Sequence, residues 1–301
     1  MKLGISFLFA VACIAFASCA NNKQSYISVI NNARLAVYES GQSDGLPIVF
    51  LHGHSLDSRM WQAQIEYFSK NYRVIAIDLR GYGSSTEQVE GEVFTHADDV
   101  LQVADRLHIE RAVYVGLSMG AFVVGDLLSM YPERCLGCVL ASGGVRHSPP
   151  PSEPLDSAEI ERQKATIDEW QTVGIDTMKG RWLRTLLSSA GSARGAIEPK
   201  LRTMVSDWTA WQPTHIESHC YYGQAAWQML IERGQTNVPC LFVRGSGDGG
   251  RADRQPREMK YLTRARYEVI PDCGHMLNME KPDEFNTLLS EFIESLYSPK
   301  K

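Results

Sequence analysis

The pentapeptide Gly116-Leu117-Ser118-Met119-Gly120 constrains this chain more than any other segment. An apolar run, Ala112-Val113-Tyr114-Val115, precedes it and a helical stretch beginning near Ala121 follows, so a strand must turn sharply into a helix at Ser118. Glycines two positions either side give that turn the room a strained serine backbone needs. The hydroxyl of Ser118 then stands exposed above a sheet, and the Met119 N–H at the helix start points where negative charge would develop on an attacked carbonyl. One short segment thus predicts a nucleophile and half of an oxyanion hole.

Other segments supply the matching parts. Pro47-Ile48-Val49-Phe50-Leu51 reads as a short buried strand running into His52-Gly53-His54-Ser55, the expected place for a second oxyanion donor, the His54 N–H. Arg73-Val74-Ile75-Ala76-Ile77 is a further strand, closed by the turn Asp78-Leu79-Arg80-Gly81-Tyr82-Gly83-Ser84. A serine hydroxyl needs a base to take its proton and a carboxylate to orient that base. The strand before Arg244-Gly245-Ser246-Gly247-Asp248 puts Asp248 at a carboxyl end, and the strand Tyr267-Glu268-Val269-Ile270 leads into Pro271-Asp272-Cys273-Gly274-His275. Asp272 lies on the same loop as His275 and reads as a turn former. His96, His108, His215 and His219 read as ordinary helix or surface residues, and the pair His52 and His54 lacks a third ligand at readable spacing, so neither a metal nor a cofactor is expected.

With the order Ser, Asp, His, these motifs resemble the α/β-hydrolase family over roughly residues 26 to 297. The resemblance rests on Leu51-His52-Gly53, the Asp78 to Ser84 turn, the Ser118 elbow, Gly247-Asp248, and Gly274-His275 followed by Glu280-Lys281-Pro282. It implies Ser118 as nucleophile, Asp248 as acid, His275 as base, the His54 and Met119 amides as oxyanion donors, and acyl transfer to water. A serine at the elbow argues against the branches that use a carboxylate nucleophile. The expected substrate is a small carboxylic ester or lactone. Hydrolysis of a carbon–carbon bond, an aminopeptidase activity using Glu153, Asp156, Glu159, Glu161 or Asp168 to hold an amine, and a slow-turnover binding protein stay open as alternatives.

The fold class is α/β, a mostly parallel eight-stranded sheet with helices on both faces and an inserted helical lid. Strands are expected near residues 26–30, 34–39, 47–51, 73–77, 112–116, 137–141, 239–244 and 266–270. Residues 26–146 and 238–301 form the core in this reading, and 147–237, where the strand pattern stops after the Pro149-Pro150-Pro151 cluster, form the lid. Within it Trp182, Leu183, Leu186 and Leu187, then Leu201, Met204 and Trp208, then Trp227, Leu230 and Ile231 recur at helical spacing. Trp182 and Trp208 are the candidates for facing the substrate pocket.

The first 19 residues read separately. Lys2 precedes the apolar run Ile5 to Ala17, too short to span a membrane and typical of a secretory signal. Cleavage is expected either after Ala17, or before Cys19, which would then be lipidated and anchor the chain to a membrane. The protein is accordingly expected outside the cytoplasm, secreted or held as a lipoprotein on the periplasmic or extracellular side. A net charge of −5 offers no basic surface for nucleic acid, leaving a small molecule as the partner. Five cysteines belong to the folded part; Cys135 and Cys138 form a C-x-x-C string without a redox setting, so apolar packing is expected for them, with a disulfide open.

Overall fold

The computed structural model describes residues 23–88, 92–146, 157–208, 220–234, 236–249 and 255–297. The expected signal segment, Cys19, the proline cluster, Glu153, Asp156, His215 and His219 lie outside them. Eight strands form one sheet: β1 (Lys23–Ser28), β2 (Arg34–Gly41), β3 (Pro47–Leu51), β4 (Arg73–Ile77), β5 (Ala112–Leu117), β6 (Cys135–Ala141), β7 (Cys240–Gly245) and β8 (Ala265–Ile270). Their spatial order is β1-β2-β4-β3-β5-β6-β7-β8, with β1 and β2 antiparallel to their neighbours and the rest parallel. All eight expected strands form. The first is displaced: Asn31 and Asn32 take left-handed conformations (φ 60° and 57°), so the strand stops at Ser28 and begins earlier, through polar Lys23 to Ser25. Those residues pair through their backbones with β2, which leaves no apolar signal to read.

Central strands are buried on both faces, as parallel strands between helix layers must be. Alternation divides them between two cores. Val49, Leu51, Ile75, Ile77 and Tyr114 point into one, and Ile48, Phe50, Val74, Ala76, Val113 and Val115 into the other. The helices are α1 (Gln62–Phe68), α2 (His96–Arg106), α3 (Met119–Met130), α4 (Ser157–Val173), α5 (Ile175–Leu187), α6 (Arg194–Asp207), α7 (Gln224–Arg233), α8 (Leu277–Glu280) and α9 (Pro282–Tyr297). Residues of α2, α3 and α7 fill the first core, and those of α1, α5, α6 and α9 the second.

The segment expected as one lid therefore divides. Leu183, Leu186 and Leu187 of α5 and Leu201, Met204 and Val205 of α6 join the second core. In contrast, α7 packs on α3, with Ala226 and Leu230, four residues apart, buried in the first. It belongs to the helix layer of the main domain. The Cys135, Cys138, Cys220, Cys240 and Cys273 side chains are all buried as thiols. Cys138 and Cys240 are register partners on neighbouring strands. Burial among other thiols keeps Cys135 and Cys138 far above the usual thiol range, and burial pushes Cys273 up to about 12.

Asp126 fixes the start of α7. Fully buried on α3, it accepts the Tyr222 N–H through Oδ2 at 2.7 Å. Burial pushes its carboxyl up to about 8, against the backbone hydrogen bonds from Tyr222 and Gly223 that favour the anion. The folded protein therefore holds a proton here that the unfolded chain releases near pH 4. This contribution to stability is full below that value and is lost as pH rises through about 8. Asp126→Asn keeps the acceptor without the ionisation. Its melting temperature relative to wild type is expected to climb from pH 5 to pH 9 in calorimetric scans; parallel pH profiles would contradict this.

Candidate active site

Ser118 joins β5 to α3 at φ 54° and ψ −109°, a conformation costly for any residue with a side chain. The reason for the flanking glycines is visible as distance. A methyl group on Gly116 would lie 2.1 Å from the Gly120 carbonyl oxygen, and one on Gly120 would lie 2.1 Å from that of Leu51. The Ser118 N–H donates to the Ala141 carbonyl at 2.8 Å, which ties the elbow to β6. Met119, the first residue of α3, has no intrahelical acceptor for its N–H.

Beside the elbow, β3 runs into His52 to Ser55. His52 is fully buried; its Nδ1–H donates to the Gly53 carbonyl (2.8 Å) and its Nε2 accepts the Leu79 N–H (2.9 Å). Burial lowers its affinity for a proton, against the pull of Asp78, so a neutral ring stitches this loop to the Asp78 turn. Within that turn Asp78 accepts the N–H groups of Ser58 and Ser84 and the Tyr38 hydroxyl. Arg80, also fully buried, makes a two-pronged ion pair with Asp99 of α2 at 2.9 and 2.7 Å. His54 shares a 2.9 Å hydrogen bond between Nδ1 and the Tyr82 hydroxyl. Its ring meets Trp182 and Trp208 edge-on at centroid distances of 5.5 and 4.8 Å.

Asp248 and His275 arrive on the loops after β7 and β8. The His275 Nδ1–H donates to Asp248 Oδ1 at 2.8 Å, which leaves Nε2 as the basic atom. Burial pushes the Asp248 carboxyl up, but the hydrogen bond and charge of His275 outweigh it and hold the group below its usual value. Asp272 takes no part. Its φ is 46°, it accepts from Ser192 Oγ at 2.6 Å, and the Lys281 ammonium lies 3.6 Å away. Glu280 has a larger role than its motif suggested: buried, it accepts the Gly191, Gly274 and Met276 N–H groups and so shapes the His275 loop. Ser189 adds a hydrogen bond from the His275 N–H at 3.1 Å.

Ser118, Asp248, His275, His54 and Met119 all line one cavity of about 360 Å³. Trp182, Phe122, Leu186 and Met276 give it apolar walls. Phe122 was legible in principle, since it lies one helical turn beyond Ser118 on the same face; Ser189, past the end of α5, gave no signal. Trp208 does not line this cavity. Its indole stacks on Tyr82 (15° between planes), donates to the Gly81 carbonyl at 3.0 Å, and backs His54 from behind. His96 is helical as read but fully buried, its ring among those of Tyr82, Phe94 and Tyr221.

A family model described as alpha/beta hydrolase fold matches residues 47–282. The chain belongs to the α/β-hydrolase family. Among curated α/β hydrolases it is 23% identical over 270 residues to (E)-2-((N-methylformamido)methylene)succinate hydrolase of Acinetobacter baylyi, covering 88% of this chain and 97% of that one. It is 24% identical over 252 residues to 3-oxoadipate enol-lactonase 2 of the same organism, covering 82% and 88%. Among solved structures, the enol-lactonase of Burkholderia xenovorans superposes with a TM-score of 0.70 at 24% identity, covering 90% of this chain and all of that one. An α/β hydrolase whose imidazole is oriented by Asp248 should lose most of its Ser118 reactivity on Asp248→Asn. Fluorophosphonate labelling of Ser118 is expected to slow by roughly 1,000-fold or more, with the melting temperature little changed; labelling at the wild-type rate would remove Asp248 from the site.

Proposed function

We propose that this chain is a serine hydrolase that cleaves a small carboxylic ester or lactone through an acyl-enzyme formed on Ser118. The observation that carries the reading is the Asp248 to His275 hydrogen bond, made at the wall of the cavity that also holds the strained Ser118. His275 Nε2 takes the hydroxyl proton as Ser118 Oγ attacks the carbonyl carbon. Charge develops on the carbonyl oxygen, where the His54 and Met119 N–H groups receive it. Collapse expels the alcohol, which leaves with the proton from His275. A water then gives its proton to the same nitrogen, attacks the acyl-enzyme and frees the acid, while Asp248 stabilises the imidazolium in both halves.

The cavity's size and apolar walls support a small acyl group. Asp248 is the single carboxylate lining it among the described residues, and hydrogen-bonding to His275 occupies it. This favours a neutral ester or lactone over the free amine an aminopeptidase must hold. Assays on p-nitrophenyl esters from acetate to decanoate are expected to show turnover with a short-chain optimum, and Ser118→Ala is expected to abolish it. Equal turnover by the variant would overturn the reading.

The same proposal has the protein exported, either secreted after cleavage or anchored through Cys19. Support comes from Lys2, the apolar run Ile5 to Ala17, and the short stretch Ala20 to Asn22 between Cys19 and the start of β1 at Lys23. When the full chain is expressed in a bacterium fed radiolabelled palmitate, label is expected in the membrane fraction. Cys19→Ser is expected to lose both label and membrane association, and a wild-type chain found soluble and unlabelled would refute anchoring.

A further inference from the structure

The indole of Trp182 does more than line the cavity. Its Nε1–H donates to Ser55 Oγ at 2.6 Å, and that hydroxyl donates in turn to the His54 carbonyl at 2.5 Å. The direction of this relay is fixed by chemistry: an indole N–H can only donate, and a hydroxyl with its one proton committed to a carbonyl can still accept. The relay runs from α5 into the backbone of the residue whose N–H serves as an oxyanion donor. Ser55 itself sits at φ 63°, in the left-handed region, so the loop is held in a conformation that a serine does not favour unaided. The His54 ring is secured separately, by Tyr82 on one side and Trp208 on another. Trp182 and Ser55 secure its main chain.

We propose that Trp182 is a positioning residue that fixes the oxyanion loop through Ser55, so that the hole has its working geometry only when α5 is seated over the cavity. The inference rests on the acyl-transfer reading of Ser118. It assigns the indole N–H an effect on the transition state, because the loop backbone it orients meets charge that appears only there. A packing role alone would be met equally by any ring of the same shape. Misdirecting one backbone donor by a fraction of an ångström is enough to lower the rate without weakening ground-state binding.

The test replaces Trp182 with β-(3-benzothienyl)alanine, which keeps the bicyclic shape and removes the N–H, beside Trp182→Phe and Ser55→Gly. Glycine accepts the positive φ, so Ser55→Gly removes the hydroxyl without straining the loop. The benzothienyl and Ser55→Gly proteins are each expected to lose roughly 10- to 100-fold in kcat with KM changed by less than about twofold. The benzothienyl change combined with Ser55→Gly is expected to lose no more than either alone, since both cut the same relay. Fluorophosphonate labelling of Ser118 should slow in parallel, because the phosphonyl oxygen occupies the same hole, with melting temperatures within a few degrees. A benzothienyl protein with wild-type kcat and labelling, or additive losses in the combination, would overturn the proposal. Should the wild type hydrolyse no ester yet label at Ser118, the ester reading fails while the labelling rates still decide the relay. A wild type that does not label overturns both.

Discussion

The backbone of α3 approaches the sheet more closely than any side chain would allow. Gly120 lies against the carbonyls of Leu51 and His52, and Gly116 lies against Gly120, so the helix starts in contact with the ends of both β3 and β5. The remaining parts of the site take their places from this contact. It sets the His52 to Ser55 loop beside the helix N-terminus and leaves Ser118 at the apex of a turn with no slack. The strain at Ser118, on the order of 1 to 3 kcal/mol, is held by its hydrogen bond to Ala141 and by a helix buried along most of its length. Nothing in the elbow itself would keep that geometry in a peptide.

Around this contact, buried polar side chains act as fasteners between loops. His52 accepts from Leu79, Asp78 from Ser58 and Ser84, Glu280 from Gly274 and Met276, Asp126 from Tyr222, and Glu258 from Val145 at 2.9 Å. Each takes backbone N–H groups that strand ends and turns leave without ladder partners, and that burial would otherwise make costly. Glu258 packs its carboxylate against Gly144, where a methyl would lie 2.0 Å from Oε1 and would push the carboxylate off its present position. The loops around the cavity are thus organised by side chains that do not line it.

Much of this could be read in advance, for reasons that differ by residue. The central strands announced themselves because burial on both faces demands continuous apolar runs, and the elbow did so because its sterics admit few residue types. The edge strand β1 was misplaced because its polar residues are held by backbone pairing alone. The tryptophans show the limit of periodicity. Helical spacing put Trp182 and Trp208 on apolar faces, but which indole meets the cavity depends on how α5 and α6 seat on the main domain, and only Trp182 does. The same holds for α7, whose expected stripe of Trp227, Leu230 and Ile231 says that it packs without saying on what; Leu230 is buried beside Ala226, whereas Ile231 is exposed. Glu280 was visible as a motif, while its function as a triple acceptor needed the loops on the page.

The thiols carry a consequence of their own. Cys138 and Cys240 are neighbours on β6 and β7, the latter one strand in from the β8 edge of the sheet, and both are buried. A thiol at that depth meets an oxidant only after the strands around it have opened. In an oxidising medium the rate at which these two thiols are consumed would then carry the opening equilibrium of the strands around them as a factor, so that any change loosening this end of the sheet would also make the protein easier to oxidise.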